Sequence, residues 1–132
     1  MAAPVTTRFG TILAVVDVER SIAFYERLGF DTEATYDDPP YATLTLARAR
    51  LSLAEQGHDA EDRPGVVLEA PPDRTRQNAV LVLEVEDCMA AYEELRDAGV
   101  DFLAEPYSPP WGGHRCFAVD PDGYLVELEQ PA

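Results

Sequence analysis

Two blocks of the chain carry the same pattern of apolar and polar positions when one is shifted by 70 residues onto the other. Leu13 falls on Leu83, Val15 on Val85, Asp17 on Asp87, Gly29 on Gly99 and Phe30 on Val100. Between these anchors Ile22, Tyr25 and Leu28 match Tyr92, Leu95 and Ala98, a three-residue spacing that lines up one face of a helix. Self-similarity at a fixed spacing marks a duplicated structural unit.

Each block opens on an apolar run that reads as a strand, Thr11–Val16 in the first and Val80–Val85 in the second. Asp17 and Asp87 follow, where an N-cap carboxylate accepts a hydrogen bond from a free helix N–H. The periodicity predicts helices to about Leu28 and Ala98, stopped by Gly29 and Gly99, since glycine enters the left-handed region without steric cost. Glu19 and Arg20 on the first helix, and Glu93, Glu94, Arg96 and Asp97 on the second, form solvated faces. Extended chain comes next. Thr43–Leu46 and Leu51–Leu53 alternate around a turn at Ala47–Arg50, and Cys116–Val119 and Tyr124–Leu128 flank the turn Asp120-Pro121-Asp122-Gly123.

The pattern predicts an α+β domain spanning 1–132, built of two βαβββ modules in tandem at 9–56 and 79–130. The segment 57–78, with Pro64, Pro71 and Pro72 and many charges, reads as a linker with one short strand at Val66–Leu68. Each module has a sheet with one face left uncovered by its helix. Two such sheets are expected to curl into a cupped mixed sheet around a cavity, helices outside. The linker permits pairing of the modules within one chain or by exchange between two chains.

Ten basic residues against 25 acidic ones give a formal charge of −15. That balance argues against nucleic acid, which needs clustered Lys and Arg, and favours the approach of a cationic ligand. No apolar run is long enough for a membrane helix, and residues 1–8 lack the features of a secretion signal, so a cytoplasmic protein without membrane association is expected. Cys88 and Cys116, 28 positions apart with no CxxC pattern, read as reduced, partly buried thiols. Cys88 follows Asp87 at a helix start, where the dipole lowers a thiol pKa. His58 sits in the charged linker and reads as a surface residue.

Tyr36, Tyr41, Tyr107, Trp111 and Phe117 all lie outside the two predicted helices, and rings so placed can hold a planar or cationic ligand. Trp111 stands out, because Pro109-Pro110 stiffens the chain before it and Gly112-Gly113 permits close approach after it. His114 follows on the same loop, entering a central strand.

The run Ile12-Leu13-Ala14-Val15-Val16-Asp17 through Ser21-Ile22-Ala23-Phe24-Tyr25 and Leu28-Gly29-Phe30 resembles the opening of the vicinal oxygen chelate superfamily. Asp120-Pro121-Asp122-Gly123-Tyr124-Leu125-Val126-Glu127-Leu128 is similar to its closing motif, and Trp111-Gly112-Gly113-His114-Arg115 to a stretch of its drug-binding members. The group includes glyoxalase I, extradiol dioxygenases, and the fosfomycin- and bleomycin-resistance proteins. The likeness covers about residues 9 to 130. It implies paired βαβββ modules and, in metal-using members, ligands on the first and last strand of each module, the kind of site that suits a divalent ion with open positions.

Carried onto this chain, the first-strand positions are Gly10 and Val80, which offer no ligand. The last-strand position of the first module is Ser52, or Leu53 one residue on, with Glu55 nearby; that of the second is Glu127. One carboxylate does not hold a catalytic divalent ion, so no metal, no cofactor and no catalytic residue is expected. Glu127 reads as a cavity acid for a basic ligand group or for Arg115, against the plainer reading of an outward strand residue. The expected ligand contacts are therefore Trp111, His114, Arg115, Phe117, Glu127, Tyr41, Tyr36 and Tyr107. The resemblance points to a homodimer that sequesters an antibiotic or metabolite. A metal-dependent lyase, isomerase or dioxygenase with a non-standard site is the alternative.

Overall fold

The computed structural model describes residues 2–132 and shows the α+β fold as two βαβββ units divided between Ala70 and Pro71. The first unit holds β1 (Phe9–Val15), α1 (Val18–Arg27), β2 (Asp31–Asp37), β3 (Pro40–Leu46) and β4 (Ala49–Glu55). Its sheet runs β1-β4-β3-β2, with β1 parallel to β4 and the other pairs antiparallel. The second holds β5 (Leu81–Glu84), α2 (Cys88–Asp97), β6 (Asp101–Phe102), β7 (His114–Val119) and β8 (Leu125–Gln130). Its sheet repeats the order as β5-β8-β7-β6, with β5 parallel to β8.

Both helices start and stop where the sequence says they should. Asp17 accepts from the Arg20 amide at 3.2 Å and Asp87 from the Ala90 amide at 3.0 Å, each taking one of the helix's orphan donors. At the other end Gly29 and Gly99 adopt φ of +99° and +93°, the left-handed turn that leads each helix into its next strand.

In the first unit, Leu13 and Val15 of β1, Leu44 of β3, and Leu51 and Leu53 of β4 are buried with Phe24 and Tyr25 of α1. Tyr25 meets Phe24 and Phe30 edge-to-face at 4.9 and 5.5 Å between centroids, a ring cluster that ties α1 to the turn leading into β2. The second unit is packed with smaller groups. Cys88, Cys116 and Leu128 form its buried centre, with Leu83, Val85, Ala91, Tyr92, Leu95 and Phe102 partly buried around them. Each large apolar side chain fully buried in this way contributes about 1.5–3 kcal/mol, which is why the helix-covered faces dominate stability.

Several details differ from the sequence expectation. No strand forms at Val66–Leu68, because the segment's polar groups pair locally: the Val66 amide donates to the Arg63 carbonyl, Arg63 Nη1 donates to the Val66 carbonyl, and the Leu68 carbonyl accepts from the Gly57 amide. The segment 57–78 is not a free linker either. The Ala70 amide bonds Gln56 in the first unit, while Arg74 and Gln77 donate to the Pro121 and Gly123 carbonyls in the second. The turn expected over Ala47–Arg50 tightens to two residues, with Ala47 at φ 53°, so that Ala49 and Arg50 join β4. Strands β2 and β6 and the extension of β8 to Gln130 complete each sheet.

Replacing Asp17 by alanine removes the N-cap acceptor of α1 and is expected to lower unfolding stability by about 1 kcal/mol, as a reduced urea midpoint at unchanged slope.

Candidate functional site

The parallel pairing within each unit decides which residues share the sheet face opposite the helix. In the first unit Ile12 stands beside Ser52, and Ser52 beside Thr43; in the second Val82 stands beside Glu127, and Glu127 beside Phe117. Ile12 and Val82 are 70 residues apart, so Ser52 and Glu127 occupy equivalent places in the two units. Directly paired residues project to the same side, and successive residues alternate. The open face of the first sheet therefore carries Gly10, Ile12 and Ala14, then Arg50, Ser52 and Ala54, then Tyr41, Thr43 and Thr45. That of the second carries Val82, Glu127, Glu129, Arg115 and Phe117.

Three of the four positions that hold metal ligands in metal-using relatives are unsuited to the task here. Gly10 has no side chain, and one added there would bring its Cβ within 2.8 Å of the Arg50 carbonyl oxygen. Val80 precedes β5 with an aliphatic side chain, and Ser52 is a buried hydroxyl. Among the described residues no three His, Cys, Asp or Glu side chains are grouped to hold an ion. The donor set does not fit a divalent metal.

Glu127 is the fourth position, and it is already engaged. The carboxylate is buried, and Arg115 Nη2 donates to its Oε1 at 3.3 Å. The Arg115 guanidinium also lies over the Phe117 ring at 5.0 Å from its centroid. Arg115 Nε is shielded from solvent and has no hydrogen-bond partner. Tyr107 is tied to the same strand by two backbone bonds with Arg115, of 2.8 and 3.0 Å, which carries its ring to this end of the sheet. Beside them opens a cavity of about 310 Å³ lined by Leu103, Ala104, Glu105, Tyr107, Arg115, Cys116 and Phe117. Its walls are mostly apolar, with the Arg115 guanidinium and the Tyr107 hydroxyl as side-chain donors among the lining residues.

In the second unit Arg115, Phe117, Tyr107 and Glu127 lie together, and Arg115 also lines a smaller cavity with Trp111 and His114. His114 alternates onto the helix-side face with Cys116, away from Glu127, and its Nδ1 pairs with Ser108 Oγ at 2.8 Å. Trp111 is 70% exposed and borders, with His114 and Glu129, a smaller cavity of about 160 Å³. Tyr36 and Tyr41 belong to the first unit, where their rings stand 6.2 Å apart on β2 and β3. His58 pairs with Glu55 at 2.7 Å at the end of β4. Sequence reasoning missed Leu103, Ala104 and Glu105, which follow a two-residue strand too short to show alternation. Glu129 was in principle legible, since it repeats the two-residue step from Leu125 and Glu127.

The thiols behave opposite to the dipole expectation for Cys88. Cys88 Sγ and Cys116 Sγ lie 3.7 Å apart behind β7, both buried. Burial pushes Cys88 upward, and it pushes Cys116 up to about 12. Desolvation outweighs the helix terminus. These are structural thiols.

A sequence profile of the Glyoxalase/Bleomycin resistance protein/Dioxygenase superfamily matches residues 7–128. The uncharacterised protein YetH of Bacillus subtilis (strain 168) is 32% identical over 126 residues, covering 93% of this chain and 98% of its own. The lactoylglutathione lyase of Salmonella typhimurium is 32% identical over 128 residues, covering 89% and 87%. The crystal structure of a bleomycin resistance determinant encoded on transposon Tn5 superimposes with a TM-score of 0.65 at 25% identity, covering 96% and 98%. The chain belongs to the glyoxalase/bleomycin resistance/dioxygenase superfamily.

Two outcomes follow from this geometry. Gly10→His should not restore a metal site and should cost about 1–3 kcal/mol, because the new side chain forces β1 from β4; thermal unfolding with and without added Zn²⁺ reads both effects. For Cys116 the folded pKa lies above the unfolded one, so the folded state holds its proton longer. The stability this contributes is full below about pH 9 and falls as pH rises toward 12, and Cys116→Ala should flatten that slope in urea unfolding series.

Proposed function

We propose that this protein binds a small antibiotic or metabolite, without a metal, and acts by sequestering it. The observation that carries this reading is the state of the equivalent last-strand positions. Ser52 offers a hydroxyl, and Glu127 is matched to Arg115 beside an apolar cavity. A carboxylate held by an internal cation is not available as a metal ligand or a free base, whereas a cavity with ring and guanidinium walls is a binding surface. Sequestration needs affinity and stoichiometry and no reacting group. The resistance determinant of similar fold supports the antibiotic version.

A homodimer in the cytoplasm is part of the same proposal. Exposed apolar residues on β1, Phe9 and Ile12, give a copy of the chain something to cover. Among the described residues no helix is long and apolar enough to cross a membrane.

Isothermal titration with a panel of planar and cationic antibiotics, bleomycin and mitomycin C among them, tests the reading. Saturable binding of at least one compound, with integral stoichiometry per chain or per dimer, is expected. Flat titrations across the panel would sink the antibiotic version. The identity to lactoylglutathione lyase favours a second reading, a metal-dependent lyase or isomerase with a relocated site. About one equivalent of Zn, Ni, Mn or Fe per chain after purification without chelator would establish it over the first.

A further inference from the structure

We propose that Arg115 receives the oxygen-bearing end of a planar ligand, a carboxylate or two adjacent oxygens, whose ring system packs against Phe117, Leu103 and Tyr107. This rests on the small-molecule-binding reading and names the chemistry of its ligand. A guanidinium presents five N–H donors in a planar fork that matches paired oxygens. Here a single donor is used, Nη2 on Glu127 at a long 3.3 Å, and Nε has no partner. Buried donors are nearly always satisfied, and an exception on a cavity wall is a place where a ligand acceptor completes the set.

The surroundings narrow the ligand further. Leu103, Ala104 and Phe117 offer the cavity no hydrogen bond from their side chains, and Glu105 is an exposed acceptor. A ligand cation would have to displace Arg115 from Glu127 and sit beside a like charge. A ligand oxyanion meets an unspent donor instead. Phe117 fixes where the rest of the molecule lies, since the guanidinium already lies over that ring and a ligand plane can pack beside it. Nε is closed off in the resting pose, so the guanidinium turns on its flexible stem as the ligand enters. One long bond to Glu127 holds it loosely enough to do so.

The matched pair 2-naphthoate and 2-naphthylmethylammonium separates the two charges on one ring system. Titrated calorimetrically into the full chain at low salt, naphthoate should bind about tenfold tighter or better. Arg115→Lys keeps the charge and loses the fork, and should weaken naphthoate by about tenfold. Glu127→Gln leaves the guanidinium unneutralised and should strengthen naphthoate severalfold, a change that a purely structural ion pair would not produce. Circular dichroism melts verify that each variant folds; if Arg115→Lys does not, the charge preference of the parent and the Glu127→Gln response still decide. A preference for the ammonium probe, no binding of naphthoate, or naphthoate affinity indifferent to both substitutions would overturn the inference. The binding reading itself stands or falls separately, on the antibiotic titrations.

Discussion

In each unit the first strand lies parallel to the last, and this pairing governs what every other residue can do. Parallel neighbours cannot be joined by a tight turn; the chain must cross over, and here it does so through a helix and two further strands. The crossover helix covers one face of the sheet and leaves the other open. Register then fixes the chemistry of that open face, because a slip of one residue exchanges the two faces completely. Ile12 beside Ser52 and Val82 beside Glu127 are the outcome. Had β8 slipped by one place, Leu128 would look outward and Glu127 would enter the helix-side core with Cys88 and Cys116.

The Arg115–Glu127 pair is the second constraint, and it is electrostatic. A buried carboxylate is costly unless a charge or several donors compensate it. This chain answers that cost with a guanidinium two positions away from the directly paired residue. The pairing has consequences beyond charge. A guanidinium is planar, stacks on Phe117 and offers directed donors, so it recognises shape as well as charge. It also leaves the site dependent on one unit's own strands, since Arg115, Phe117 and Glu127 all come from β7 and β8.

Much of the fold was legible because its determinants are local. Asp17, Asp87, Gly29 and Gly99 announce helix ends by side-chain chemistry and backbone freedom, and the repeat announces that the solution is used twice. The faces of Arg115, Phe117 and Glu127 could be read from alternation, while their pairing required the register between β7 and β8. Less was visible where tertiary contacts decide. Val66–Leu68 has the composition of a strand but loses its carbonyl to Arg63, a side chain three residues away whose role no pattern marks. Cys88 shows the same balance: the dipole at a helix start is a local effect, and burial beside β7 and β8 outweighs it, as the reading of a buried thiol implies. His114 and Trp111 were conspicuous by neighbourhood, yet one residue of strand phase places His114 on the opposite face from Glu127.

Helix packing and the candidate site are thus carried by opposite faces of the same strands. Leu13, Val15, Leu53 and Leu128 hold the helices, and Gly10, Ser52, Val82 and Glu127 look the other way. Along a strand these sets interleave residue by residue, which lets the open face change chemistry while the packed face stays intact. The freedom has limits that the structure makes explicit. At Gly10 the β1–β4 backbones approach too closely for any side chain, so that position is closed to a ligand without moving the sheet. At Glu127 the reverse holds: the acid can be retained only while Arg115 stays to balance it. Gly10 in the first unit is closed to a side chain by backbone contact, and Glu127 in the second is committed to an internal ion pair, so neither position is placed to gather a metal.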